Sequence, residues 1–286
     1  MNTLNVDGTN QLGIDDANWL SVTSLTNINN FHILSVDMSG TRITEDNYPP
    51  YGILARDSSN NDYHAYLVLN PNNTNTTYLA RGIRLQYRLS NNVLQVKTRS
   101  LVQGNGIRPP ELITSTNSYN SYGTPNLHNA TIEVYVKSFD YVIATNSGTY
   151  NSNSTLTTDW VTVISNYTET LDKFHIIKGT LTGTNIPTYK SDCIIVRESS
   201  DTTNFQLYSV LQQANSTETI CGIRLKFRIN SSNDLQVRIA RTIVEVQGID
   251  PGKESTTFTS VGQTNLDKIN VASFEWVIGR KIGFNK

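Results

Sequence analysis

The chain writes one pattern of residues twice, at a spacing of roughly 140 positions, and this limits the folds open to it more than any other property. The first copy runs through Trp19, Phe31-His32-Ile33, Gly40-Thr41, Ile53-Leu54-Ala55-Arg56-Asp57-Ser58-Ser59, Gly82-Ile83-Arg84-Leu85, Leu94-Gln95-Val96, Val102-Gln103-Gly104 and Ser138-Phe139-Asp140-Tyr141-Val142-Ile143. The second answers in the same order with Trp160, Phe174-His175-Ile176, Gly183-Thr184, Ile194-Ile195-Val196-Arg197-Glu198-Ser199-Ser200, Gly222-Ile223-Arg224-Leu225, Leu235-Gln236-Val237, Val246-Gln247-Gly248 and Ser273-Phe274-Glu275-Trp276-Val277-Ile278. Solenoid units repeat every 20 to 50 residues or so, so a period this long predicts two separately cored domains from an internal duplication.

Within each copy the apolar period is two. Ile83, Leu85, Tyr87 and Leu89 alternate with Arg84, Gln86 and Arg88, the pattern of a half-buried antiparallel strand. The turn cluster Ser90-Asn91-Asn92 then leads into a second alternating run, Leu94 to Arg99, which predicts a β-hairpin. Residues 223–229 and 235–239 repeat the design around Asn230-Ser231-Ser232-Asn233-Asp234. Further strands are expected at 31–37, 51–56, 63–69, 131–143, 174–181, 193–198, 205–211, 242–247 and 269–279, and no segment keeps a helical period over three turns. The expected fold class is all-β, with two tandem related β-sandwich domains of jelly-roll or Greek-key type. The expected boundaries are an N-terminal arm at 1–18, domain 1 at 19–144, a flexible linker at 145–157, domain 2 at 158–279 and a C-terminal tail at 280–286.

Charge is sparse and balanced at a net of -1, which argues against a charge-driven grip on nucleic acid. No run of 18 apolar residues occurs, so membrane insertion is not expected. The N-terminus has neither a basic nor an apolar stretch, and the expectation is synthesis in a cytoplasm without an export signal. Cys193 and Cys221 stand where the first copy has Gly52 and Arg81, so they are expected to be dispensable and to pack as small apolar residues, a bridge or a metal site being the alternative. His32, His64, His128 and His175 lack zinc-motif spacing, and the matched pair His32 and His175 is read as structural. Asp15-Asp16 and Glu45-Asp46 are read as turn residues rather than as an acid and base pair. With no nucleophile elbow or phosphate-binding loop either, no catalytic residue, cofactor or metal is assigned.

Two surfaces carry contact chemistry. The polar faces of the hairpins present Arg84, Arg88, Lys97 and Arg99 in the first copy, and Arg224, Lys226, Arg228 and Arg238 in the second. Like charges on neighbouring strands are unfavourable unless neutralised. Three readings follow: a solvated face interleaved with acids such as Asp57 and Glu198, a docking face for an acidic subunit or an anionic cell-surface polymer, or, least favoured because no aromatic residues interleave on that face to stack bases, a site for nucleic-acid phosphate. The second surface is the segment 104–129, longer than its counterpart in the other copy. Tyr119, Asn120, Tyr122 and Asn126 give it the composition of an adaptable binding loop, for which a host cell-surface glycan is a candidate ligand, the alternative being an uninvolved surface loop.

The doubled sandwich pattern, the Asn-, Thr-, Ser- and Tyr-rich surface and the absence of a secretion signal resemble virion structural proteins of tailed bacteriophages, the class that supplies tail fibres, baseplates, collars and head decorations. The resemblance covers the whole chain in style and implies a non-enzymatic, homo-oligomeric virion component with other virion proteins as partners. The alternative is a lectin-like carbohydrate-binding adhesin.

Overall fold

The computed structural model describes residues 19–40, 51–57, 62–69, 79–105, 134–151, 156–183, 194–197, 203–211, 219–245 and 270–284. The chain is all-β and divides into two compact units, one of Met1–Ile143 with Lys281–Lys286 and the other of Ala144–Arg280.

The first unit holds β1 (Leu20–Ser24), β2 (Phe31–Gly40), β3 (Tyr51–Asp57), β4 (Asp62–Leu69), β5 (Leu79–Ser90), β6 (Val93–Asn105), β7 (Val134–Ile143) and the last strand of the chain, β16 (Lys281–Phe284). One sheet runs β1-β6-β5-β4-β3 and the other β2-β7-β16, all antiparallel. The two are stitched at one corner, where Val36 and Asp37 of β2 pair Gly52 and Tyr51 of β3. The second unit holds β8 (Asn146–Asn151), β9 (Val161–Ile164), β10 (Phe174–Thr182), β11 (Ile194–Arg197), β12 (Asn204–Leu211), β13 (Thr219–Ile229), β14 (Leu235–Glu245) and β15 (Asn270–Ile278). Its sheets run β9-β14-β13-β12-β11 and β10-β15-β8, strand for strand the order of the first unit.

The same irregularities recur in both. A register shift falls between Arg84 and Leu85 on β5 and between Arg224 and Leu225 on β13. The β2/β7 pair shifts between Ile33 and Ser35 and between Asp37 and Met38; the β10/β15 pair shifts between Ile176 and Lys178 and between Thr180 and Leu181. A bulge leaves one residue unpaired and bends its strand, so bulges at matching places give the two units the same local curvature.

Each core is built from rings contributed by both sheets. Phe31 on β2 meets Tyr63 on β4 at 6.4 Å and Tyr87 on β5 at 5.4 Å. Phe174 on β10 meets Phe205 on β12 at 6.2 Å and Phe227 on β13 at 4.9 Å, the same arrangement with Phe for Tyr. Phe31, Phe174, Phe205 and Phe227 are all buried, each contributing roughly 1.5–3 kcal/mol by removal from water. A single 3-10 turn, Ile28–Asn30 or Leu171–Lys173, sets up the entry to β2 and to β10. His32 and His175 follow the anchoring Phe and are buried. His175 Nε2 lies 3.1 Å from the Gly279 carbonyl oxygen, which only accepts, so the ring carries its proton on Nε2 and donates it there.

Three expectations need correction. The segment 145–157, read as a flexible tether, contains β8, because Asn146 to Asn151 find main-chain partners along β15. The tail 280–286 contains β16, which adds to the first unit and not to the second. Residues 242–245 do not start a new strand but continue β14 past a bulge. The N-terminal arm lies outside the described residues.

Candidate docking face

The β5–β6 hairpin is closed by Asn91 and Asn92, whose φ values of 50° and 58° suit the two-residue turn that reverses a twisted strand pair. That tight closure fixes the register Arg88↔Gln95 and Gln86↔Lys97. β1 then pairs with β6 through Leu20↔Val96, so the residue before it, Trp19, comes level with Lys97. The second unit reaches the same arrangement by a longer turn. There Asn230 Oδ1 accepts from the main-chain N–H groups of Ser232 and Asp234, and Asn233 takes φ 60°. Arg228↔Gln236 and Lys226↔Arg238 pair across the strands, and Val161↔Val237 brings Trp160 level with Arg238.

The outcome is one cluster built twice. Arg88 Cζ lies 4.1 Å from the centroid of Trp19 and Lys97 Nζ lies 4.8 Å from it. Arg228 Cζ lies 4.2 Å from the centroid of Trp160 and Arg238 Cζ lies 4.7 Å from it. In each unit the arginine Nε donates to the cross-strand glutamine, Arg88 to Gln95 Oε1 and Arg228 to Gln236 Oε1, both at 2.9 Å. This bond orients the guanidinium against the indole and leaves its terminal nitrogens for another acceptor. Gln236 Nε2 extends the row to Thr162 Oγ1 at 3.5 Å, where the first unit has Ser21.

Among the described residues no carboxylate forms an ion pair with Arg88, Lys97, Arg228 or Arg238, in contrast to Lys173, which pairs with Glu169, and Lys281, which pairs with Asp140. Arg238 Nε is buried without a hydrogen-bond acceptor among them. Lys226 stands directly across from Arg238, which adds like-charge repulsion in the second unit. Cation–π attraction to Trp offsets part of this, at roughly 0.5–1 kcal/mol for each exposed cation, and an anion would relieve the rest.

Of the eight cations expected on the two faces, Arg88, Lys97, Arg228 and Arg238 gather at the tryptophans and Lys226 flanks them. Arg224 does not project: Gly222, Ile223 and Arg224 are buried in succession on the near side of the bulge, and Arg224 is 6% exposed. The side chains of Arg84 and Arg99 lie outside the described residues, as do those of Asp57 and Glu198. The loop residues Tyr119, Asn120, Tyr122 and Asn126 also lie outside them. Sequence reading left out the centre of each cluster. Trp19 and Trp160 open both copies and Gln95 and Gln236 stand within matched blocks, so the signal was present, but the alignment of β1 and β9 on the hairpin was needed to see it.

Among the described residues no group of three or more His, Cys, Asp or Glu side chains is gathered to hold a metal ion, and no helix is long and apolar enough to cross a membrane. Comparison with known proteins gave no family model, no curated protein and no solved structure that matches the chain.

Proposed function

We propose that the protein is a non-enzymatic structural component of a phage virion, in which the two units use equivalent basic and aromatic faces to dock onto acidic neighbours. The observation that carries this reading is the doubled cluster, Trp19 with Arg88 and Lys97, and Trp160 with Arg228 and Arg238. Two copies of one surface on one chain suit attachment by several weak contacts, where avidity exceeds either affinity. Sheet faces with oriented guanidinium groups suit carboxylates of a partner protein, which accept two parallel bonds from arginine.

A test is to express the chain in its native background with Arg88→Glu and Arg228→Glu and to count copies per density-purified particle by quantitative mass spectrometry. Wild-type chain is expected at a fixed stoichiometry and the double variant at less than a tenth of it, with unchanged circular dichroism. Equal incorporation of both would overturn the docking role, and absence of the wild type from particles would overturn the virion assignment.

A second reading, a lectin-like adhesin, is favoured by one detail. Each half-buried indole sits beside a glutamine amide and a guanidinium, groups that pack on sugar CH faces and bridge hydroxyls. Binding of the free chain to host polysaccharide, lost in Trp19→Ala with Trp160→Ala, would establish it in place of the first.

A further inference from the structure

Each unit is completed by a strand that the chain supplies only after the matched sequence of the other copy has ended. β8 follows β7 in sequence yet pairs with β15, and β16 follows β15 yet pairs with β7. The closing strands also carry matching anchors. Tyr150 stacks on Phe274 at 4.9 Å and Phe284 stacks on Phe139 at 4.8 Å, both at an interplanar angle of 21°.

Both connections are dipeptides. Two residues separate β7 from β8, Ala144-Thr145, and two separate β15 from β16, Gly279-Arg280. A two-residue loop folds a strand back on its neighbour when both central residues take positive φ, as Asn91 and Asn92 do, or when the first alone does, the type II′ turn that a leading glycine such as Gly279 admits. Among the described residues the non-glycines with positive φ are Asn91, Asn92, Asn166 and Asn233, so Ala144, Thr145 and Arg280 keep φ negative. Neither closing strand turns back onto the strand before it.

The two closures differ in strength. β8 holds β15 along six register positions, Asn146 to Asn151, and is backed by Thr145 N–H to the Ile278 carbonyl at 2.8 Å. β16 holds β7 along four, Lys281 to Phe284. Among the described residues it is further anchored by Phe284, stacked on Phe139 at the edge of the first core, and by an ion pair from the exposed Lys281 Nζ to Asp140 Oδ2 at 3.2 Å. Ile282, 38% exposed, is the large apolar side chain left open to water among the described residues. Of the two closing strands β16 is therefore the one that local opening releases first, and release bares both the main-chain edge of β7 and the ring of Phe139.

We propose that the edge of β7 is a strand-acceptor site for residues 281–284 of a second copy of this chain, and that two copies exchange β16 reciprocally to form a closed dimer. The exchanged dimer keeps every β7–β16 contact of the monomer, so the free-energy difference reduces to association entropy and the conformation of Gly279-Arg280. A short tether holds its strand at an effective concentration of about the millimolar range, so exchange competes once protein is crowded to that level, as in an assembling particle. The inference does not rest on the docking role of the tryptophan clusters.

The test uses the full-length chain with Cys193 and Cys221 changed to Ser and one new cysteine on each side of the register pair Asp140↔Gly283. Asp140→Cys and Gly283→Cys together in one chain are expected to close a disulfide within the chain at low micromolar concentration. The two single variants, mixed near millimolar concentration and then oxidised, are expected to give a crosslinked dimer that is lost on hundredfold dilution before oxidation. A mixture that stays monomeric at every concentration, while the doubly substituted chain closes on itself, overturns the exchange. Failure of the doubly substituted chain to close overturns the β7–β16 pairing and the proposal with it. A check that needs no new cysteine is native mass spectrometry of the unaltered chain against Phe284→Asp: a concentration-dependent dimer that survives this substitution refutes the proposal.

Discussion

Gly148 offers the sharpest test of the position of β8, because the space around its missing side chain is filled by one ring. A Cβ built on Gly148 would lie 2.8 Å from Cε2 and 3.1 Å from Cη2 of Trp276, with Cζ2 nearer than either. Non-bonded carbon atoms do not settle closer than about 3.5 Å, so Gly148→Ala must displace β8 or the indole. Trp276 has little room to move, since it is 8% exposed and packs on Phe174 at 6.0 Å. Overpacking of this kind costs about 1–3 kcal/mol, and the lower chain entropy of alanine in the unfolded state returns about 0.4–1 kcal/mol. A net loss of about 1–2 kcal/mol follows, equivalent to about 4–8 °C in the melting transition of a unit this size. Trp276→Phe removes the outer ring atoms that collide, so alanine at 148 should cost about 0.5 kcal/mol or less in that background, within the ordinary range for a mild substitution. The assay is urea denaturation of the four chains of the double-mutant cycle, followed by tryptophan fluorescence where Trp276 is kept and circular dichroism throughout. A coupling near zero, with Gly148→Ala as costly in the Trp276→Phe background as in the unaltered chain, would refute the placement of β8 against this ring.

Three further outcomes are expected. Asn92→Val forces a β-branched residue to adopt φ 58° and should destabilise by about 1–2 kcal/mol in chemical denaturation, whereas Asn92→Gly should be neutral or mildly stabilising. Burial pushes the Tyr141 phenol above its ordinary value near 10, against a hydrogen bond with Thr23 that lowers it. The folded state thus favours the neutral phenol, its contribution is intact below about pH 10 and fades as pH rises through the folded value, and Tyr141→Phe should flatten the alkaline fall in stability measured by urea titration between about pH 9 and pH 11.5. A double-mutant cycle on Trp160→Leu and Arg228→Met should return a coupling of about 0.5–1 kcal/mol, and a coupling near zero would remove the cation–π contact from the account.

The all-β class was legible because alternation is local. Leu85 and Tyr87 are buried and Gln86 between them is not, as period two requires. The hairpin turn was legible because Asn91-Asn92 carries its own chemistry. The fate of the segments after Ile143 and Ile278 was not. β8 and β16 are short and mostly exposed, so they show no apolar period. Ala144-Thr145 carries no turn signal, and Gly279-Arg280, which would suit a type II′ hairpin, does not form one, so the partner of neither strand is announced locally. Arg224 was misplaced because strict alternation assigns it to an open face, whereas Gly222, Ile223, Arg224 and Leu225 are buried in succession, a covering of both faces that the local pattern does not show. The docking face was half legible. Its cations were visible as a stripe, but the indoles that organise them sit at the head of β1 and β9, strands whose lateral pairing is a tertiary fact.

The crossed closing strands also decide where tension travels. Trp19 and Phe284, the outermost described residues, both fall in the first unit, while Ala144–Arg280 forms an excursion that departs after β7 and returns through β16. A pull applied at those two points is borne by the ladder between β16 and β7, and the load path bypasses residues 144–280. β16 then behaves as a latch. While it holds, the chain is as stiff as one unit; when it slips, the whole second unit enters the line of force at once, so stretching should proceed as an early short release followed by the rupture of two separate bodies.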